Sequence, residues 1–370
     1  MRSNMQRAYL IIPRYMVDHL DEALVLAETA EYEILRVWKT RYPRRIGRGL
    51  LYEVSTSART DNIETIIFYG ELQPSNIFML MKEAGVRVLD RVMLILEIFA
   101  KHAGSKEARL QIEMAKIKHE IPLVREFLRR SKMGEYPGFL GPGRYAIDSY
   151  YRHLTRKLAK IKRELEALRS ERASRLYSRR RSGMIHAAIV GYASAGKTTL
   201  FNTLTGESKP TGPEYFTTLH PKHKAVSIDG VKVIFVDTVG FIRDVPPEVI
   251  EAFYSTLEEV ALSDIILYIV DVSESKKEIR EKLEAGLNTL TRIGAVGIPL
   301  IIAANKIDLV PRGELEDKLA IVEEVLRSHT GEARVVPVSA MKGLGLRKLL
   351  TSVREIGVDG RSRARVASSI

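Results

Sequence analysis

The sequence predicts an α/β protein in two parts: an amino-terminal parallel α/β domain carrying an antiparallel coiled-coil helical hairpin, then a second α/β domain with a mostly parallel sheet. Three observations predict it. Short apolar runs alternate with helical stretches near both ends of the chain, as βαβ units require. Between them, apolar residues recur every three and four positions over two long stretches split by a Gly/Pro loop. The length of 370 residues leaves room for about two domains.

The elements follow in order. Residues 8–12, 33–37, 65–68 and 86–89 read as strands, and 17–29 and 75–84 as helices, giving a small domain over 1–104. From Ser105 the pattern becomes heptads: Leu110, Met114, Ile117, Ile121, Val124 and Leu128, then Leu154, Leu158, Ile161, Leu165 and Leu168. Residues 133–143, rich in Gly and Pro, separate them, so two helices fold back on each other over 105–181. Residues 182–356 alternate strand and helix again. Asp229-Gly230 between two apolar strands marks a hairpin and hence one antiparallel strand, while 265–270, 300–304 and 335–338 read as buried parallel strands. Residues 357–370 read as a short flexible tail.

Charge divides the chain unevenly. Residues 1–182 hold 35 Lys and Arg against 22 Asp and Glu, whereas residues 183–370 hold 23 against 24. The stretch 144–181 alone has 13 basic and four acidic residues. A basic half beside a neutral half implies a polyanionic partner, with RNA favoured over membrane because no apolar-faced anchor is evident. The competing reading is a merely solvated helix face. No apolar run reaches the ~18 residues of a membrane span, and no apolar signal segment follows the first residues, so a cytoplasmic protein is expected. With no cysteine there is no disulfide, thiolate metal site or cysteine nucleophile. The eight histidines lack ligand spacing, and nothing calls for an oligomer, so a monomer is the expectation.

The chemistry starts at residues 191–198, Gly-Tyr-Ala-Ser-Ala-Gly-Lys-Thr, which fit the phosphate-binding pattern G-x-x-x-x-G-K-[ST]. An apolar run leads in and Thr199-Leu200-Phe201-Asn202 opens a helix out, which is the context the motif needs. Polyphosphate requires backbone N–H donors aimed at it, and glycine lets the chain curl closely enough. Tyr192, Ala193, Ser194, Ala195, Gly196, Lys197, Thr198 and Thr199 form the cradle. Lys197 reaches the terminal phosphates, and the Thr198 hydroxyl binds Mg²⁺.

Four further motifs follow. Asp237-Thr238-Val239-Gly240 reads as the D-x-x-G of a GTPase, with Asp237 in the Mg²⁺ shell and the Gly240 N–H near the γ-phosphate. Asn305-Lys306-Ile307-Asp308 reads as N-K-x-D: a carboxylate at Asp308 can accept from both guanine donors, a pair adenine lacks. Ser339 and Ala340 back the base. Within Phe216-Thr217-Thr218-Leu219, Thr218 is favoured over Thr217 to close over Mg²⁺ and the γ-phosphate. The second domain is thereby a Ras-like P-loop GTPase domain with GTP and GDP as ligands and Mg²⁺ as cofactor. Lys197, Thr218 and Gly240 are the catalytic candidates, and Thr198, Thr218 and Asp237 the metal candidates. Phe241 occupies the position where many GTPases place a water-orienting glutamine, so hydrolysis should be slow; equally, Phe241 could simply pack in an apolar pocket. A protein that uses GTP only as a gating ligand, with negligible turnover, is the alternative, while an ATPase of helicase type lacks any adenine logic at residues 305–308.

With these residues the chain resembles the HflX family of ribosome-associated GTPases, in its archaeal-like form. Residues 191–202, 216–219 and 237–242 carry the resemblance, together with Gly70-Glu71-Leu72-Gln73-Pro74-Ser75 and residues 88–100 upstream. The match spans roughly residues 5–356. It departs at Gly141-Pro142-Gly143-Arg144, where the family's G-P-G-E has an acid in place of arginine, and an extra carboxy-terminal domain of some relatives has no counterpart. The resemblance implies binding to the large ribosomal subunit, with the amino-terminal domain and hairpin loop reaching into ribosomal RNA, and the splitting or rescue of stalled ribosomes.

Overall fold

The computed structural model describes residues 5–133, 143–180, 184–207, 222–238, 240–241, 249–250, 254–329 and 333–367. The chain divides into two compact units, with the boundary on the main chain after Arg169.

In the first unit, β1 (Gln6–Pro13), β2 (Tyr32–Thr40), β3 (Thr65–Phe68) and β4 (Arg87–Asp90) form one sheet in the order β2-β1-β3-β4. Every pairing is parallel, as expected. The helix expected at 17–29 begins as a 3-10 turn, Arg14–His19, before α1 (Leu20–Thr29). The sequence reading missed α2 (Arg48–Thr60), whose Gly49, two serines and two threonines are poor helix formers. It is held by tertiary packing, with Val54 and Ala58 buried against Tyr9, Ile11, Ile66 and Phe68. Helix α3 (Pro74–Ala84) starts with proline at its first position and closes on Gly85 at φ +73°, where only glycine is comfortable. The Asp90 carboxylate caps α4 (Arg91–His102) by accepting from Met93 N at 3.0 Å.

Helices α5 (Lys106–Lys132) and α6 (Gly143–Arg180) make the hairpin. Its direction follows from the cross-pairs: Lys106 meets Glu164, Glu113 meets Lys157 and Glu120 meets Tyr150. Numbers rise along one helix as they fall along the other, so the two run antiparallel. The seam is Met114, Ile117 and Val124 with Leu154, Ile161 and Leu165, flanked by half-buried Leu110, Ile121 and Leu158, which are the heptad positions. Residues 134–142, the Gly/Pro loop, lie outside the described residues. The first compact unit ends at Arg169, within α6, which itself runs to Arg180.

The second unit has β5 (Ile185–Gly191), α7 (Lys197–Thr205), β6 (Lys222–Ile228), β7 (Val231–Asp237), α8 (Tyr254–Ala261), β8 (Ile265–Asp271), α9 (Lys276–Arg292), β9 (Leu300–Asn305), α10 (Leu315–His329), β10 (Ala333–Pro337) and α11 (Leu346–Ala367). The strand order is β10-β9-β8-β5-β7-β6. All pairs are parallel except β6 with β7, and their turn has positive φ at both Asp229 (46°) and Gly230 (82°), matching the tight two-residue hairpin expected there. Parallel strands put the ends of β5, β7, β8, β9 and β10 on one edge. Because β5 lies between β7 and β8, the chain reverses its direction of winding there, and ligands of open α/β sheets bind at that edge.

The tail expected at 357–370 is corrected in part, since α11 continues to Ala367. At Gly357, the first residue of the expected tail, a Cβ would come within 2.5 Å of Ile185 Cδ1. The glycine therefore permits close packing of the helix on β5 instead of ending it. Among the described residues no helix is long and apolar enough to cross a membrane.

Candidate nucleotide site

Strand β5 delivers the phosphate loop. It ends at Gly191, with φ +147°, where a Cβ would stand 2.4 Å from the Ile269 carbonyl oxygen on β8. At Gly196, φ +98°, a Cβ would stand 2.3 Å from Asn305 Nδ2. Both glycines are thus required by contact as well as by conformation. Ser194 also adopts a left-handed φ of 61°. The segment after D-x-x-G is tied onto this loop: Phe241 N donates to Gly191 O at 2.9 Å and Ala193 N donates to Phe241 O at 2.8 Å.

Lys197 opens α7 and is 8% exposed. Its ammonium donates to the Tyr192 carbonyl at 2.5 Å. Burial pushes its pKa down to about 8, opposed by the carboxylate of Asp237. Gly240 leaves room for it, since a Cβ there would be 2.8 Å from Lys197 Nζ. Asp237 is fully buried at the end of β7, paired in register with Ile189 on β5. The neighbouring Thr238 hydroxyl donates to Ile189 O at 2.6 Å. Thr198 and Thr199 form the first turn of α7. Thr217, Thr218 and Val239 lie outside the described residues.

The base-recognition residues come together at the ends of β9 and β10. Asn305, 2% exposed, donates from Nδ2 to Ala195 O at 2.8 Å and accepts at Oδ1 from Ala340 N at 2.9 Å. One Nδ2–H and the Oδ1 of its amide hold protein, so Asn305 stitches the phosphate loop to the Ser339–Ala340 loop. Thr203 on α7 adds a second stitch, donating to Ala340 O at 3.0 Å. Buried Ser339 accepts at Oγ from Lys342 N at 3.1 Å and pairs with Leu344, closing a tight loop. Lys306, at φ 68°, pairs with Asp271 Oδ2 at 2.5 Å. Asp308, in the 3-10 turn Ile307–Leu309, presents an exposed carboxylate.

Phe241 settles in the apolar alternative as far as packing goes: it is 4% exposed, with its ring centroid 6.2 Å from that of Tyr268. Gly286 makes room for Tyr268, because a Cβ there would be 1.8 Å from the tyrosine hydroxyl. Sequence reasoning missed Asp271, Thr203 and Thr238. Asp271 had a readable signal: it is a lone acid ending an otherwise apolar strand, as Asp237 is.

Comparison with known proteins agrees with this geometry. Residues 17–100 match the family model "GTP-binding GTPase N-terminal", 102–179 match "GTP-binding GTPase Middle Region" and 186–306 match "50S ribosome-binding GTPase". GTPase HflX of Hyperthermus butylicus is 51% identical, over 93% of this chain and 94% of its own. This chain belongs to the HflX GTPase family. GTPase HflX of Saccharolobus solfataricus is 36% identical over 91% of this chain and 95% of its own. Among solved structures, that of SsGBP in complex with GDP is similar at a TM-score of 0.60 with 31% identity, covering 96% of this chain and 99% of that one. A Sulfolobus solfataricus GTP-binding protein with GDP gives 0.54 at 31%. As an HflX GTPase, the chain takes GTP and GDP as ligands and hydrolyses GTP.

Proposed function

We propose that this chain is a GTP-driven switch that docks on the large ribosomal subunit through ribosomal RNA and works in the cytoplasm, as a monomer, splitting or rescuing stalled ribosomes. The observation that carries the docking is the charge split. Exposed Arg156, Lys160, Lys162 and Arg163 line α6 of the half with 35 basic against 22 acidic residues, a face suited to phosphate. The description "50S ribosome-binding GTPase" matched over residues 186–306 supports the same partner.

In the second unit, backbone N–H groups of Ser194 and of Gly196 to Thr198 would hold the β- and γ-phosphates, with the Lys197 ammonium facing the terminal one. Asp308 would accept from the guanine edge. Asn305, Ser339 and Ala340 keep that edge in register with the phosphate loop. The Thr198 hydroxyl and the buried Asp237 carboxylate are an all-oxygen donor pair that fits Mg²⁺, with Thr218 as the third candidate. Mg²⁺, when bound, would neutralise charge developing on the phosphate oxygens. Phe241 can neither accept a proton nor orient water, so unassisted turnover is expected on the order of 10⁻³ to 10⁻² s⁻¹. A docked partner would complete the site.

The test measures co-sedimentation with purified large subunits and phosphate release with and without them. Binding favoured by a non-hydrolysable GTP analogue over GDP, with turnover accelerated by large subunits, is the expected result. No association in any nucleotide state sinks the ribosomal reading. The buried Phe241 keeps a second reading open, a nucleotide-gated binder with negligible hydrolysis; it would show association without acceleration.

A further inference from the structure

We propose that Asp271 is a positioning residue for guanine recognition: it holds the Lys306 side chain as a platform for the base, and Lys318 holds the Asp271 loop in turn. The inference rests on the guanine reading of residues 305–308. Asp271, 8% exposed, ends the fully buried strand β8. Both of its carboxylate oxygens are engaged. Oδ2 meets Lys306 Nζ at 2.5 Å, and Oδ1 accepts from Ser273 N at 2.9 Å and from Ser273 Oγ at 2.5 Å. A carboxylate held on both sides cannot rotate away from Lys306. The loop that carries it is fixed from α10, where Lys318 donates to Glu274 O at 3.0 Å and Ser273 O at 3.5 Å. Lys318 is 6% exposed, an unusual place for an ammonium unless it has partners.

The pair joins a buried carboxylate to a Lys306 side chain that is 30% exposed, so it serves folding by satisfying Asp271. It also has a geometric consequence. Lys306 carries a left-handed φ of 68°, uncommon for a residue with a Cβ, and opens the turn that presents Asp308. Ile307 N, donating to Val338 O at 3.3 Å, ties the next residue to the Ser339 side. With its ammonium pinned to Asp271, the methylene stem of Lys306 is extended and ready to cover one face of a purine, while Asp308 offers acceptors to its edge. Left unpinned, the flexible stem would have to be ordered when the nucleotide binds.

The test uses the full-length protein and three variants: Asp271→Asn, Lys306→Met and the two combined. GDP affinity and dissociation rate are read by fluorescence titration, with inorganic tripolyphosphate as a probe of the phosphate loop alone and nucleotide-free melting as the control. The expected result is a roughly tenfold loss of GDP affinity in Asp271→Asn, through faster dissociation, with tripolyphosphate binding unchanged. The double variant should lose no more than Lys306→Met, because Asp271 acts through Lys306. Wild-type GDP affinity in Asp271→Asn, or losses that multiply in the double variant, would overturn the proposal. A wild type that does not prefer GDP to ADP would instead refute the guanine reading itself. Should Asp271→Asn fail to fold, Lys318→Arg and Ser273→Ala take its place. A two- to threefold loss of GDP affinity with tripolyphosphate unaffected supports the inference there, and no loss overturns it.

Discussion

The two units solve the same construction problem and end with opposite results. Each is a parallel sheet flanked by helices, with strand ends gathered on one edge. In the second unit that edge carries glycines with no space for a Cβ, a buried lysine against a backbone carbonyl and an exposed aspartate in a tied turn. In the first it is closed by its own side chains. Tyr69, just past β3, donates to Glu22 at 2.6 Å; Arg91, just past β4, reaches the same carboxylate oxygen at 3.1 Å and lies over the Tyr69 ring. Asp90 is held between the α4 cap and His119 at 2.7 Å. Topology thus provides a place for a ligand, and the residues at the strand ends decide whether one is bound.

The comparison breaks most sharply at Arg91. Arg91→Ala leaves the Glu22 carboxylate buried without its cation, which should cost about 3–5 kcal/mol of stability, seen as a lowered denaturant midpoint for the first unit. GDP affinity should be unchanged; if it falls with stability intact, the amino-terminal edge is functional after all. Lys197→Ala should do the reverse, lowering GTP turnover on the order of a hundredfold or more with the circular dichroism spectrum preserved. Undiminished turnover would remove Lys197 from the site.

Asp308→Asn should next weaken GTP by about 2–4 kcal/mol through loss of a charge-assisted pair of bonds, and it should favour xanthosine triphosphate in competition binding. A smaller effect follows from the pKa of Lys197, pushed down to about 8 by burial. A depressed lysine pKa means the free protein loses its ammonium as pH rises through 8, so GDP affinity should be flat below that value and decline above it. Its contribution to folding has the opposite sign: the folded chain binds fewer protons than the unfolded one between about 8 and the ordinary lysine value of about 10.4, so stability gains there as pH rises. Calorimetry across pH 7–9.5 reads the first effect, and affinity that rises with pH would contradict it. Smallest is the change at α6. Reversing exposed Arg156, Lys160 and Arg163 should flatten the salt dependence of RNA binding by up to about three powers of salt concentration, near one for each phosphate no longer neutralised. Lys157 is omitted because it pairs with Glu113. An unaltered slope would leave this face merely solvated.

Residues 191–198, 237–240 and 305–308 were legible as a guanine nucleotide site because each motif is local: a loop, a strand end and a turn whose chemistry depends on residues a few positions apart. The parallel sheets and the heptad seam were legible for the same reason, since periodicity records which side of an element faces the core. What the linear order could not determine was assignment among partners far apart in the chain. Asn305 shows nothing in sequence of its second task, to bridge Ala195, 110 residues before it, and Ala340, 35 residues after it. Gly357 reads as the start of a flexible tail until Ile185 is beneath it, and Asp271 has no role until Lys306 is beside it. Propensity and spacing act along the chain, whereas packing and hydrogen-bond satisfaction act through space, and only the folded arrangement says which of several chemically suitable partners each buried polar group has taken.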